Sequence, residues 1–292
     1  MKNNRGKDSS EKKRDFDKNS VKKYEREKHN NFNKYQERKN NDNFDESFQL
    51  EGRNPVLEAI NSGKTIDKII VKKGGIEGSL KVIVAKAAQR GIIVQEVDKN
   101  KMAEISMSNN CQGVIAFCPA KEYVQVSDII KNAEDRGENP FIIILDEITD
   151  PHNLGAILRT ADASGVHGVI IPKRRSVGLT AVVSKTSAGA VEYVPVARVT
   201  NISNTIDDLK KQGIWVACAD MDGQEYFDAS FDGPVAIVIG SEGNGVSRLV
   251  KQKCDFSVKI PMLGKILSLN ASVAAGLIMY EVVRQRNSRK NR

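Results

Sequence analysis

Residues Ile260 to Arg286 read IPMLGKILSLNASVAAGLIMYEVVRQR: the end of a short strand, a loop dense in small and apolar residues, then a helix. Loops that meet water are usually polar, yet this one carries Ile260, Met262, Leu263, Ile266, Leu267 and Leu269. A buried loop leaves backbone N–H and C=O groups in need of partners, and a ligand rich in donors and acceptors would supply them. Ser268, Asn270 and Ser272 crowd the helix entrance, where side-chain oxygens satisfy first-turn donors or face a substrate. Tight packing beneath an Asn270 cap is the competing reading of the same residues.

Upstream of this stretch, short apolar runs alternate with helical patterns. Strands are predicted at Ile142–Leu145, Val169–Ile171, Val194–Val196, Trp215–Ala217, Ala236–Ile239 and Phe256–Ile260. Helices are predicted at Leu154–Ala163, Thr180–Ser187, Ile202–Gln212 and Ala271–Arg286. Continuous apolar strands between helices indicate a mainly parallel sheet covered on both faces. Ligands of such sheets bind at the carboxyl ends of the strands.

Two more segments fall at those ends. Asp150-Pro151-His152-Asn153-Leu154-Gly155 leads into Arg159 directly after the first strand. Asn153 is read as the cap of a helix whose N-terminus receives an anion, and Gly155 as a point of close backbone approach. Arg159 projects one turn further on, where its fork suits a phosphodiester; a surface ion pair is its alternative. Gly240-Ser241-Glu242-Gly243-Asn244-Gly245 follows a buried strand and admits a ligand closely. It matches neither a phosphate-binding P-loop nor a dinucleotide fingerprint, and Glu242 at its centre repels phosphates. Ser247 behind it is read as a helix cap.

The earlier part of the chain divides in two. From Gln49 to about Pro119, a helix start at Asn54-Pro55, strands at Lys68–Val71, Ile92–Val97 and Val114–Phe117, and helices at Leu80–Gln89 and Lys99–Ile105 make a small α/β unit. A polar break, Arg136 to Pro140, separates it from the larger domain. Residues 1–47 hold 14 Lys/Arg against 10 Asp/Glu, with few and aperiodic apolar residues. Such a segment cannot bury enough surface to offset its ordering entropy, so it is read as a disordered basic tail. Its charge suits nucleic acid or solubility alone. Arg284, Arg286, Arg289, Lys290 and Arg292 form a second basic cluster within a net charge of +8.

At 292 residues two domains are expected. No run of about 18 uncharged apolar residues predicts a membrane span, and the first residues show no apolar signal region, so a cytoplasmic protein is expected. Cys111, Cys118, Cys218 and Cys254 have no C-x-x-C spacing and no histidine cluster beside them. Reduced, packed thiols and no metal site are expected.

Taken in order, DPHNLGAILRTADASG, VIGSEGNGVS and IPMLGKILSLNASVAAGLIMYE resemble the three motifs of the SpoU, or TrmH-like, branch of the SPOUT RNA 2′-O-methyltransferases. GRNPVLEAI resembles the opening of that branch's substrate-binding domain, an α/β unit akin to ribosomal protein L30e. TSAGAVEYVPVARVTNI looks most like the guanosine-specific bacterial 23S rRNA members. The charged tail departs from the bacterial pattern, so the resemblance says nothing of its role.

The resemblance implies residues 48–122 as the RNA substrate-binding domain, 123–140 as a linker and 141–292 as a methyltransferase domain knotted into a trefoil, with S-adenosyl-L-methionine bent within the knot. It implies cofactor contacts from Gly240, Ile260 and Leu269, chiefly through backbone atoms, and a reacting centre of Asn153, Arg159, Glu242, Ser268 and Asn270. In the family's mechanism the arginine is a general base after phosphate contact. Because guanidinium stays protonated at accessible pH, anchoring the phosphate and stabilising developing alkoxide charge is the alternative role. A homodimer built on the C-terminal helix and 23S rRNA as partner are implied as well. The competing functions are tRNA ribose methylation and a non-catalytic L30e-like RNA-binding protein.

Overall fold

The computed structural model describes residues 49–74, 77–108, 111–265 and 268–290. The basic segment of residues 1–47, the loop residues Ile266 and Leu267, and Arg292 lie outside the described residues.

The N-terminal unit runs β1 (Gln49–Glu51), α1 (Arg53–Asn61), β2 (Lys68–Lys72), α2 (Ser79–Gln89), β3 (Ile93–Val97), α3 (Lys99–Ile105) and β4 (Val114–Phe117). Its sheet has the order β1-β4-β2-β3, with β2 and β3 parallel and β4 antiparallel to both neighbours. Val56, Ile60, Ile69, Val71, Leu80, Ile83 and Val114 form its core. Helix α1 begins one residue before Asn54, with Gly52 at its N-cap. The Arg53 N–H donates instead to Gln112 Oε1 at 3.1 Å, so the Asn54 cap is not used.

Residues 123–140 carry α4 (Val126–Asp135), opened by a capping box between Gln125 and Asp128. Its Ile129 and Ile130 pack with Ile142 and Ile144 of the larger sheet. Glycine at 168 is required here, since a Cβ would sit 2.5 Å from Ile129 Cγ1. The Val124 N–H donates to Val196 O at 2.9 Å, so the chain joins the sheet before the helix starts. Arg198 pairs with Asp67 across the two units, both side chains nearly buried (13% and 12% exposed). The Arg198 guanidinium lies 5.3 Å over the Tyr123 ring, whose hydroxyl oxygen accepts from the Leu179 N–H at 3.0 Å. Burial pushes the Asp67 carboxyl above its ordinary pKa despite Arg198 beside it.

The C-terminal unit continues with β5 (Phe141–Leu145), α5 (Pro151–Ala163), β6 (Gly168–Pro172), α6 (Ala181–Thr186), β7 (Val196–Val199), α7 (Ile202–Lys211), β8 (Trp215–Glu225), β9 (Val235–Ile239), α8 (Arg248–Lys253), β10 (Phe256–Lys259) and α9 (Ala271–Lys290). All pairings in its sheet are parallel, in the order β10-β8-β9-β5-β6-β7. Phe141, Ile143 and Leu145 enter one core and Ile142 and Ile144 the other, the pattern of a strand covered on both faces. β7 begins after Pro195 rather than at Val194, as expected for a residue with no N–H for the ladder. β8 is far longer than its apolar run: after a bulge between Ser257 and Val258 it pairs with β10 as far as Glu225.

His167, fully buried, accepts the Phe141 N–H on Nδ1 at 3.0 Å and meets Glu138 on Nε2 at 3.1 Å. Among the described residues no helix is long and apolar enough to cross a membrane.

Candidate active site

Because the sheet is parallel, its carboxyl ends form one edge. β9 ends there at Ile239, and Gly240 follows at a place where only glycine fits. A Cβ on Gly240 would stand 2.0 Å from the backbone carbon of Gly245. The loop is folded back on itself, with the Ser241 and Gly245 N–H groups donating to each other's carbonyls at 3.2 and 2.9 Å. The Ser247 N–H donates to Asp146 Oδ2 at 2.8 Å, which ties the loop to the end of β5. Ser247 stands at the N-cap of α8 but makes no side-chain cap. Asp146 was not singled out from the sequence, although a carboxylate closing the run FIIIL is the signal that marks it.

A cavity of about 360 Å³ opens beside this loop, between the segment of β8 that leaves β9, residues 240–245, the end of β10 and the entrance of α9. Gly240, Glu242, Ile260, Ser268 and Leu269 all line it. Asp220 lines it as well, in an ion pair with Lys251 at 2.7 Å. Burial raises the Asp220 carboxyl, but hydrogen bonds from Lys251 and the Asp222 N–H outweigh burial and leave its pKa below the ordinary value.

The loop from Ile260 to Asn270 departs from the buried segment read from the sequence. Ile260 and Met262 are half-buried, whereas Leu263 is 99% exposed and Gly264 and Lys265 are exposed too. The loop walls the cavity at its two ends, through Ile260, Met262, Ser268 and Leu269.

At Glu242, which lines the cavity, three side chains close a hydrogen-bonded triangle. Asn153 Nδ2 donates to Glu242 Oε1 at 2.9 Å, and Asn270 Nδ2 donates to Asn153 Oδ1 at 2.8 Å and to Glu242 Oε1 at 2.5 Å. Asn270 is also the cap of α9: its Oδ1 accepts from the N–H groups of Ser272 (2.9 Å) and Val273 (3.3 Å) and from the Ser272 hydroxyl. Its acceptor capacity is therefore spent on the helix. Glu242 Oε2 has no partner among the described residues and is the open acceptor of the cluster.

Asn153 does not cap α5. The helix begins at Pro151, and Asp150 caps it by accepting from the His152 N–H at 2.9 Å. Proline at the first helical position was the sequence signal for that boundary. Asn153 lies inside the first turn, which frees its carboxamide for Glu242. Gly155 does permit close approach, but of α6 rather than a ligand: a Cβ there would meet Thr186 Oγ1 at 1.9 Å. Arg159 is exposed further along α5 and makes no hydrogen bond or ion pair among the described residues. The structure thus joins Asn153 and Asn270 to Glu242, which lines the cavity together with Ser268, and leaves Arg159 without a bond to any of them. The four thiols are free, Cys118 and Cys218 buried, and no cluster of His, Cys, Asp and Glu able to hold a metal occurs among the described residues.

A parallel sheet with a glycine-walled cavity and an amide–carboxylate cluster at its carboxyl edge defines a small-molecule-binding α/β domain, here joined to a compact second unit. Comparison with known proteins narrows this class. Residues 140–280 match the SpoU rRNA Methylase family, and residues 49–124 match the RNA 2'-O ribose methyltransferase substrate binding family. Over 238 residues the chain is 50% identical to YacO of Bacillus subtilis (strain 168), assigned to the TrmH family of tRNA/rRNA methyltransferases, spanning 81% of this chain and 95% of that protein. A TrmH family protein of Staphylococcus haemolyticus (strain JCSC1435) is 52% identical over 243 residues, 83% of this chain and 97% of that one. Among solved structures, the SpoU methyltransferase AviRb from Streptomyces viridochromogenes, in complex with the cofactor AdoMet, aligns with a TM-score of 0.52 at 25% identity, covering 82% of this chain and 91% of that one. The chain belongs to the SpoU/TrmH family of tRNA/rRNA methyltransferases. It is an RNA 2′-O-ribose methyltransferase with an N-terminal substrate-binding domain and a C-terminal methylase domain of the SPOUT fold.

Proposed function

We propose that the chain transfers a methyl group from S-adenosyl-L-methionine to the ribose 2′-oxygen of a guanosine in 23S rRNA, in the manner of the RlmB subgroup. The observation that carries the site is the Asn153–Glu242–Asn270 triangle, whose Glu242 lines the 360 Å³ cavity. Support for the choice of RNA is the likeness of Thr186 to Ile202, the segment from the end of α6 through β7, to the guanosine-specific 23S rRNA members.

The cavity suits an adenosyl cofactor without phosphates. Its volume falls in the usual range for small-ligand sites. The wall combines glycine backbone at 240, 243 and 245 with apolar Ile239, Val258, Ile260 and Leu269, and Glu242 disfavours phosphate. Gly240, Ile260 and Leu269 would hold the cofactor, chiefly through backbone atoms. When bound, S-adenosyl-L-methionine supplies an electrophilic sulfonium methyl.

The protein's task is then alignment of a weakly acidic alcohol and removal of its proton. Glu242 Oε2 accepts first the hydrogen bond and then the proton of the 2′-hydroxyl as the methyl is transferred, while Asn153 and Asn270 fix the carboxylate through its other oxygen. Ser268 lines the same cavity and orients the ribose. Arg159, unpaired among the described residues, anchors an RNA phosphate and stabilises the developing alkoxide.

Residues 48–122 serve as the substrate-binding domain, 123–140 as the connection and 141–292 as the catalytic domain, in a cytoplasmic protein. A homodimer fits α9. Ala275, Ile278, Met279 and Val282 face the protein's own core. Val273, Leu277 and Tyr280 form a second, exposed stripe at i, i+4 and i+7 (49, 40 and 50% exposed). That stripe, with Ala156 and Thr160 of α5, lines a surface hollow of about 640 Å³. Since Arg159 lies between Ala156 and Thr160 in sequence, a partner copy seated there brings this arginine towards RNA held by the other subunit.

Mapping of ribose methylation in total RNA from a strain lacking the gene tests the choice of RNA. One guanosine of 23S rRNA is expected to lose its 2′-O-methyl group. Loss from a tRNA with the rRNA unchanged overturns this reading in favour of the tRNA one.

A further inference from the structure

We propose that Lys173 and Arg174 form a phosphate-binding bridge over which RNA passes from the substrate-binding domain to the reacting centre. The inference rests on the RNA methyltransferase reading but not on which RNA is modified.

The argument begins with strand order. Along the carboxyl edge of the sheet the sequence is β10-β8-β9-β5-β6-β7. The cavity lies at β10, β8 and β9, and Asn153 follows β5. At the far end Arg198 of β7 holds Asp67 of the N-terminal unit. The loop after β6 stands between these two, and it reads Lys173-Arg174-Arg175, all exposed. RNA that touches both the substrate-binding domain and the Asn153–Glu242–Asn270 cluster by the shortest path along this edge crosses that loop.

The loop is built to hold a shape. Arg175 and Glu147 are both in the left-handed backbone region, with φ of 58° and 61°. Neither is glycine, and such residues persist only where their surroundings over-determine them. They pair with each other at 3.1 Å across the ends of β6 and β5. The Ser176 hydroxyl and the Val177 N–H both donate to Ile148 O, at 3.1 and 2.9 Å. The Lys173 N–H donates to Val199 O at 2.8 Å, and Arg198 Nη2 donates to Lys173 O at 3.1 Å. The backbone is thus pinned to β5 on one side and to the Arg198–Asp67 junction on the other.

The charges are distributed accordingly. Glu147 engages Arg175, whereas Lys173 and Arg174 make no ion pair among the described residues. Two unneutralised cations on a pinned loop, beside a catalytic edge whose substrate is a polyanion, are the arrangement that binds phosphates through counterion release.

The test compares full-length wild-type protein with the double variant Lys173→Gln/Arg174→Gln. A labelled 23S rRNA transcript and, in parallel, a tRNA transcript are bound from about 50 to about 300 mM salt. Each lost phosphate contact should reduce the slope of log affinity against log salt by about 0.7 to 0.9, so the double variant should be shallower by about 1.4 to 1.8. It should bind about tenfold more weakly near physiological salt. Turnover at saturating RNA and S-adenosyl-L-methionine affinity should stay at wild-type values, with KM alone raised. The swap Lys173→Arg/Arg174→Lys should keep the wild-type slope, as should Lys131→Gln on α4. Equal slopes for wild type and the double variant on whichever RNA the wild type binds overturn the bridge. Wild-type binding of the tRNA but not the 23S transcript overturns the choice of RNA and leaves the slope comparison decisive on tRNA.

Discussion

Asn270 performs two tasks with one carboxamide, one through each atom. Its Oδ1 starts α9, and its Nδ2 joins Asn153 and Glu242. The two tasks separate chemically. Asn270→Asp keeps the acceptor, and a carboxylate at a helix N-terminus is favourable. It removes the donor, however, and sets a second negative charge against Glu242. Asn270→Ala removes both, at a cost of about 1 kcal/mol from the cap alone. Thermal melts should therefore place the Asp variant nearer to wild type than the Ala variant, while methyl transfer is lost in both. An Asp variant with wild-type turnover would show that the triangle is a brace for the loop and no part of the reacting centre. The cap was legible in the sequence because Asn stands directly before an apolar helical pattern. Its partners were not: Glu242 lies 28 positions away from it and 89 from Asn153, and only the sheet brings these loops to one edge.

The elements were read well where a single local rule applied and poorly where a distant neighbour set the outcome. Apolar runs gave the strands at β5, β6, β9 and β10 to within a residue or so. β8 outran its apolar segment because β10 offered a ladder as far as Glu225. Gly155 is a point of close approach, as the sequence suggests, and it is the crossing of α5 and α6 that uses it. Gly240 and Gly243 differ in the same way, and the difference is testable. A Cβ at Gly240 meets backbone at 2.0 Å, which cannot swing aside, whereas at Gly243 nothing stands within 4 Å. Gly240→Ala should cost about 2 kcal/mol or more, as overpacking against fixed atoms does, and should abolish cofactor binding. Gly243→Ala should stay within about 0.5 kcal/mol of wild type. Chemical denaturation and calorimetry on both variants check this; equal behaviour of the two would contradict the account of the loop.

At the scale of the whole molecule, the two units are joined by specific contacts as well as by chain. Arg198, Asp67, Tyr123 and the Val124 bridge to β7 hold the substrate-binding unit at one end of the catalytic edge. The Arg198–Asp67 pair spans 131 positions, beyond the reach of any local pattern. The exposed stripe of α9 makes an independent prediction. Light scattering behind size exclusion should give twice the chain mass for the wild type, and Leu277→Glu/Tyr280→Glu should shift it to the monomer; an unshifted mass would move the interface elsewhere. The central claim is that this edge methylates a ribose oxygen and that Arg159, apart from the Glu242 cluster of its own chain, acts on RNA held by the partner subunit. The most direct test is transfer of labelled methyl from S-adenosyl-L-methionine to unmodified rRNA, with the product site identified by its resistance to alkali. The wild type should yield an alkali-resistant 2′-O-methyl linkage. Arg159→Ala should lose about 100-fold or more of that rate while binding S-adenosyl-L-methionine within about twofold of wild type. A variant that turns over as fast as the wild type, or a label recovered on a base, would contradict the account.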